Sequence, residues 1–183
     1  MNENFVFAGF GGQGVMFAGQ ILAYAAMDEG LEVTWIPSYG PEMRGGTANC
    51  VVVISDQPVG SPLVSRPQTA VVFNAPSFDR YEPLVAAGGL LLYNESLIER
   101  RSQRQDIALL PVPALALADK LGDLRLMNVV MVGALLTARP VLPLEALRRA
   151  LTAHLPARRQ EMLALNLAAL EQGAACAAEQ TPA

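Results

Sequence analysis

Six residues near the start of the chain, Gly9-Phe10-Gly11-Gly12-Gln13-Gly14, have the make-up of an anion cradle. Glycines let the backbone turn sharply and leave N–H groups bare to an approaching ligand. The apolar run Val15 to Met27 follows and reads as a helix. The free N–H groups at a helix start, backed by its dipole, attract phosphate or another anion. Gly9, Gly11 and Gly14 also fit G-x-G-x-x-G, and the preceding run Phe5-Val6-Phe7-Ala8 supplies the strand that this dinucleotide fingerprint requires. A nicotinamide or flavin site needs in addition an acid at the end of the second strand, to hold ribose hydroxyls. That strand ends at Ile36-Pro37 without one, and Glu32 stands at its start. Tight strand–helix packing is an equally good reading of these glycines taken alone.

A second segment bears on the choice: Ser38-Tyr39-Gly40-Pro41-Glu42-Met43-Arg44-Gly45-Gly46-Thr47. It follows the second strand, and in α/β sheets ligands gather at the carboxyl ends of strands. The two loops are therefore expected on one edge. Arg44 offers a planar, always-charged fork for phosphate or carboxylate. Gly45 and Gly46 leave amides accessible beside it, and Tyr39 offers a stacking face and a hydroxyl. Glu42 suits a general base, a partner of Arg44 or a subunit contact, the surface ion pair being the plainest of these. Asn74, at a strand end, is a further candidate. His154 reads as a charge at a helix C-terminus, Asn128 and Asn166 as satisfied buried amides, and Met43 and Met127 as packing residues. No nucleophile–base pair and no acid cluster for a divalent metal stand out.

The elements that must position these residues alternate. Strands are expected over 5–8, 32–36, 49–55, 70–73, 90–93 and 107–110. Helices are expected over 15–27, from Ser77 as a cap to Tyr81, and over 114–121, 127–137, 143–154 and 158–175. About a dozen residues without helical pattern join the second and third strands. A parallel crossover normally needs a helix, so this pair can run antiparallel. The fold class is α/β: three-layer α/β/α, a mostly parallel sheet with room for one antiparallel strand, and a helical C-terminal third. Residues 1–178 read as one domain and 179–183 as a frayed tail.

Composition narrows the function. Of 183 residues 52% are hydrophobic and 16% charged, which favours a subunit that buries apolar surface against partners. The net charge is −4 and no basic block occurs, so nucleic acid is not an expected partner. Cys50 and Cys176 are the only cysteines and form no metal-binding spacing with the single histidine. The first residues lack a basic n-region, and the longest apolar helix is too short to span a bilayer. The expectation is a cytoplasmic protein without a membrane partner.

The glycine turn, the Ser38–Thr47 loop and Asn128-Val129-Val130-Met131-Val132-Gly133-Ala134-Leu135 together resemble the gamma subunit of 2-oxoacid:ferredoxin oxidoreductases, over roughly residues 4 to 172. The resemblance implies a multi-subunit enzyme that decarboxylates a 2-oxoacid oxidatively with coenzyme A, giving acyl-CoA, carbon dioxide and reduced ferredoxin. Thiamine diphosphate with Mg and the iron–sulfur clusters would belong to partner subunits: alpha, beta and a ferredoxin-like delta. External ferredoxin would be the acceptor. No cofactor is expected on this chain alone, coenzyme A being a co-substrate. Carried over, Gly11, Gly12, Gln13 and Gly14 would meet coenzyme A phosphates. Arg44 would neutralise the pyrophosphate or 3′-phosphate, and Gly45, Gly46 and Thr47 would shape that wall. Tyr39 and Glu42 would lie near the junction facing the thiamine site. The Ser-Tyr-Gly-Pro-Glu-Met-Arg-Gly-Gly wording resembles 2-oxoglutarate and branched-chain 2-oxoacid members more than pyruvate ones. Two other readings stay open: an assembly subunit without ligand contact, and an independent dinucleotide-binding protein.

Overall fold

The computed structural model describes residues 1–40 and 46–180. Six strands form one sheet: β1 (Asn2–Phe10), β2 (Glu32–Tyr39), β3 (Thr47–Ser55), β4 (Thr69–Val72), β5 (Leu90–Asn94) and β6 (Ala108–Val112). Six α-helices accompany them: α1 (Val15–Asp28), α2 (Ala75–Tyr81), α3 (Ala114–Lys120), α4 (Met127–Ala138), α5 (Leu144–His154) and α6 (Leu163–Gln180). The sheet order is β2-β3-β1-β4-β5-β6. β3 runs antiparallel to both its neighbours, while β4, β5 and β6 follow β1 in parallel. The mixed sheet expected from the missing crossover helix is thus present, with β3 as its one reversed strand.

Alternation sorts the strand residues onto two faces. Phe5, Phe7, Cys50, Val52, Ile54, Val71, Leu92 and Leu110 face a thick layer of helices α1, α3, α4, α5 and α6. Val6, Ala8, Ala70, Val72, Leu91 and Tyr93 face a thin layer built around α2 through Phe78 and Tyr81. Helices therefore cover both faces unequally. α4 is buried at ten of its twelve positions, because it touches β5, α1, α3, α5 and α6. A helix apolar all round needs such complete enclosure.

Where boundaries differ from expectation, the causes are local. Proline was expected to stop β2 at Pro37 and the last strand before Pro111, yet both strands run through them. Each is an edge strand, where a missing N–H can face away from the ladder. α2 is capped by Asn74, not Ser77: the Asn74 side-chain oxygen accepts from Ser77 N at 2.9 Å. The helix expected from Arg158 begins instead as a 3₁₀ segment, Ala157–Met162, ahead of α6. Of the tail expected over 179–183, residues 181–183 lie outside the described residues. Glu179 and Gln180 lie in α6, and Gln180 Nε2 donates to Pro111 O at 2.9 Å, covering part of the β6 edge.

Candidate functional site

The carboxyl end of β1 is where the parts meet. Gly9 stands opposite Ala48, which stands opposite Tyr39, so β1, β3 and β2 end side by side there. The two glycine-bearing loops leave from this one edge, as their placement after strands requires, and they are joined directly: Gly11 N donates to Gly46 O at 2.9 Å. Gly40 N donates to Thr47 O at 2.8 Å and closes the base of the hairpin. Glu42, Met43, Arg44 and Gly45 lie outside the described residues.

The turn itself is held from within. Gln13 Oε1 accepts from Phe10 N at 2.7 Å and from Asn74 Nδ2 at 3.0 Å, while Gln13 N donates to Phe10 O at 3.1 Å. Gln13 thus fastens the turn to the end of β4, with its side-chain Nε2 without a partner among the described residues. Asn74 spends both ends of its side chain, on Gln13 and on capping α2. Gly12 and Gly14 have φ of 98° and 75°, a region that only glycine enters cheaply. Gly14 is also the N-cap of α1, and a Cβ there would fall 2.7 Å from Asn128 Cγ and nearer still to its amide nitrogen. Glycine is needed twice over at this position.

Asn128, at the start of α4, donates to Gly14 O at 3.2 Å and accepts from Val129 N at 2.8 Å. Gly14 O also receives Ala18 N at 3.0 Å, the first bond of α1. The N–H groups of Val15, Met16 and Phe17 have no carbonyl within the helix to bond. No described side chain caps this end, and its first turn has no acid to offset the positive end of the helix dipole.

Those groups open into a cavity of about 590 Å³, a size typical of ligand sites. One wall is Phe10, Gly11, Gly12, Gly14, Met16 and Phe17; Tyr39 and Ala48 form another. Tyr39 is 68% exposed, so its ring is free to move against a ligand or a neighbouring chain. The opposite wall comes from the C-terminal third: Arg125, Asn128, Arg158, Arg159, Glu161, Met162 and Asn166. Sequence reasoning missed the basic part of this wall. Arg125 is held by Asp123, Nε to Oδ1 at 2.9 Å and a terminal nitrogen to Oδ2 at 2.6 Å. The Arg125 hydrogen bonds keep the Asp123 carboxyl below its usual range. Arg158 and Arg159 have no side-chain partner among the described residues. Asn166 Nδ2 donates to Met162 O at 2.8 Å, so both helical asparagines are satisfied amides that also line the cavity.

Below the cavity floor, Cys50 is fully buried, with Sγ 3.7 Å from Val15 O. Burial pushes its thiol up to about 12. His154 is 2.8 Å from Asp28 and stacks on Tyr24 at 4.4 Å, tying α5 to the end of α1 away from the cavity. Among the described residues no group of three or more His, Cys, Asp or Glu is arranged to hold a metal ion. No described helix is long and apolar enough to cross a membrane. The arrangement can bind and orient an anion; among the described residues it brings no nucleophile and base together.

Residues 4–176 match the family described as pyruvate ferredoxin/flavodoxin oxidoreductase. The chain is 42% identical over 173 residues to ketoisovalerate oxidoreductase subunit VorA of Methanothermobacter thermautotrophicus, an alignment covering 94% of this chain and 36% of that protein. It thus spans about a third of that relative's length. It is 32% identical over 176 residues to 2-oxoglutarate synthase subunit KorC of Methanocaldococcus jannaschii, covering 94% and 92%. Its fold is similar to a keto/oxoacid ferredoxin oxidoreductase gamma subunit from Geobacter sulfurreducens PCA, with TM-score 0.85, 27% identity and 98% of each chain covered. It is also similar to 2-oxoglutarate:ferredoxin oxidoreductase from Magnetococcus marinus, with TM-score 0.89 and 24% identity, over 100% of this chain and 32% of that one.

Proposed function

The chain belongs to the pyruvate ferredoxin/flavodoxin oxidoreductase family, in its gamma-subunit branch, and on that footing we propose that it serves as the coenzyme A-binding subunit of a multi-subunit 2-oxoacid:ferredoxin oxidoreductase. The enzyme would convert 2-oxoglutarate or a branched-chain 2-oxoacid, with coenzyme A, to acyl-CoA, carbon dioxide and reduced ferredoxin. Support for the non-pyruvate preference comes from the Ser38–Thr47 wording and from relatives named for ketoisovalerate and 2-oxoglutarate. Alpha and beta subunits, and a ferredoxin-like delta, are the proposed partners; thiamine diphosphate, Mg and iron–sulfur clusters would be theirs. Two cysteines cannot furnish the four thiolates of a usual cluster. A cytoplasmic location goes with this reading.

The observation that carries it is the uncapped start of α1 opening beside Gly11, Gly12 and Gly14 into a cavity of about 590 Å³. Coenzyme A brings a pyrophosphate that such amides hold well. The structure of the Magnetococcus marinus enzyme is described with 2-oxoglutarate, coenzyme A and succinyl-CoA bound. In this reading Gly11, Gly12 and Gly14 let the backbone approach the pyrophosphate, and the free Gln13 amide adds a donor. Arg44, Gly45, Gly46 and Thr47 would supply the second side, and Tyr39 and Glu42 would meet the subunit that holds thiamine diphosphate. Asn74 acts by fixing Gln13. The chain's role is to bind and orient the thiol carrier; the bond changes occur on groups that partners hold.

Met16→Glu tests this; Met16 packs in part against the core, so circular dichroism of the variant is checked alongside the kinetics. A carboxylate in the first turn favours the helix dipole by about 0.3–1 kcal/mol but repels a phosphate seated there. In the complex assembled with its partner subunits, KM for coenzyme A should rise at least tenfold with the 2-oxoacid KM unchanged. A coenzyme A KM equal to that of the wild type would remove the ligand role and leave the assembly-subunit reading.

A further inference from the structure

The chain contains three Arg-Arg pairs, 100–101, 148–149 and 158–159. Their surroundings differ. Arg148 is paired with Glu171 and Arg149 with Glu29. Arg100 is paired with Asp79 at 2.5 Å, and Arg101 lines a separate cleft with Glu95 and Glu99. Arg158 and Arg159 alone sit together without a carboxylate partner among the described residues, and both line the cavity into which α1 opens. The cavity's other described charges do not cancel them: Arg125 is satisfied by Asp123, leaving Glu161 as the one acid among the described lining residues. Local bonds set the backbone that carries the pair. Pro156 precedes the 3₁₀ segment, Arg159 N donates to Pro156 O at 2.7 Å, and Gln160 Nε2 donates to Leu155 O at 2.8 Å.

We propose that Arg158 and Arg159 form a second anion seat, distinct from the α1 amides across the cavity, and that this seat reads the 3′-phosphate of coenzyme A. The assignment rests on the coenzyme A reading above and extends it to specificity. A pyrophosphate and a ribose monoester phosphate are separate charged groups on one ligand; with the helix start and Arg44 both assigned to the pyrophosphate, the monoester needs a seat of its own. A monoester phosphate carries up to two charges and matches two adjacent guanidinium forks. The C-terminal third is thus part of the recognition apparatus, and it makes the site prefer coenzyme A to its 3′-dephospho form.

The test is steady-state kinetics of the assembled complex with coenzyme A and with 3′-dephospho-coenzyme A. Loss of charge-assisted hydrogen bonds to one phosphate is worth about 10- to 100-fold in KM. The wild-type complex should favour coenzyme A by that factor. The double variant Arg158→Gln, Arg159→Gln should lose the preference by raising KM for coenzyme A alone, with kcat and the dephospho-coenzyme A KM kept. The steeper salt dependence of the coenzyme A KM should vanish with it, and Arg158→Lys with Arg159→Lys should restore part of both. Full preference in the Gln variant overturns the assignment. So does failure of that variant to assemble while its circular dichroism is native, which would place the arginines in a subunit contact. Failure of the underlying reading looks different: Met16→Glu then leaves the coenzyme A KM untouched.

Discussion

Gly173→Ala probes the joint on which the cavity's far wall hangs. α4 and α6 pack with backbone against backbone. A Cβ on Gly173 would fall 2.8 Å from the Val130 carbonyl carbon, nearer still to its oxygen, and 3.0 Å from Ala134 N. Gly133 makes the reciprocal approach, with 3.0 Å to the Leu170 carbonyl carbon and 3.2 Å to Ala174 N. Ordinary carbon contact is about 3.5–4.0 Å, so one methyl at 173 forces the helices apart by at least about 0.7 Å, starting from the 2.8 Å approach. The obstructing atoms are backbone and cannot rotate away. Overpacking of this kind costs about 1–3 kcal/mol and sometimes more; the upper end applies because α4 is enclosed on every side. Alanine returns about 1 kcal/mol of helix propensity. The net loss is about 2 kcal/mol, which lowers Tm by roughly 4–8 °C in a domain of this size. Thermal denaturation followed by circular dichroism measures it, with Gly60→Ala as control, since a Cβ at Gly60 meets nothing within 4 Å. Equal or higher stability of Gly173→Ala would refute the close-approach argument. The same separation should loosen ligand binding, because α4 carries Asn128 and the 3₁₀ segment ahead of α6 carries the arginine pair.

Asn128→Ala removes the hydrogen bond that anchors Gly14 O. It should cost about 1 kcal/mol of stability and raise the coenzyme A KM of the assembled enzyme several-fold, since the glycine turn is then held from one side only; urea unfolding and kinetics give the two values. Cys50 predicts an alkaline signature. Its folded value of about 12 lies above the ordinary thiol value of 9.0, so the neutral thiol's contribution is intact below pH 9 and is lost as pH rises toward 12. By pH 10 the ionised unfolded state should have taken about 1.4 kcal/mol of stability, a slope absent from Cys50→Ala. A thiol reagent at pH 8 should label Cys176, half-buried, long before Cys50.

How much was legible follows from the range of each signal. The glycine turn, the helix after it and the strand before it are local, and all three stand where periodicity and glycine spacing put them. The antiparallel β2–β3 pair was also legible, because a short non-helical connection excludes a parallel crossover. Pro37 and Pro111 misled because a proline's effect depends on whether its strand is an edge, which is a property of the sheet and not of the residue. Asn74 was a site candidate as a strand-end residue; it reaches the glycine turn through Gln13 and caps α2. The arginine wall was out of reach for a plainer reason. Three Arg-Arg pairs look alike in sequence, and only folding shows that Glu29 and Glu171 answer one, Asp79 answers another in part, and nothing described answers the third.

The sheet order also explains why a dinucleotide fingerprint lacks its usual companion. A ribose-reading acid works from the end of a strand adjacent to the glycine turn. Here β3 occupies that place, with Thr47 opposite Phe10 and Ala48 opposite Gly9, and β2 is one strand further out. At about 4.8 Å per strand, a carboxylate at the end of β2 would begin nearly 10 Å from the turn. Reversing β3 into this position exchanges a ribose-binding acid for a hairpin whose own backbone bonds the turn, Gly11 N to Gly46 O. The missing acid is therefore a consequence of topology rather than a decayed site. A substitution such as Ile36→Asp should not create nicotinamide binding, whatever the glycines beside it allow.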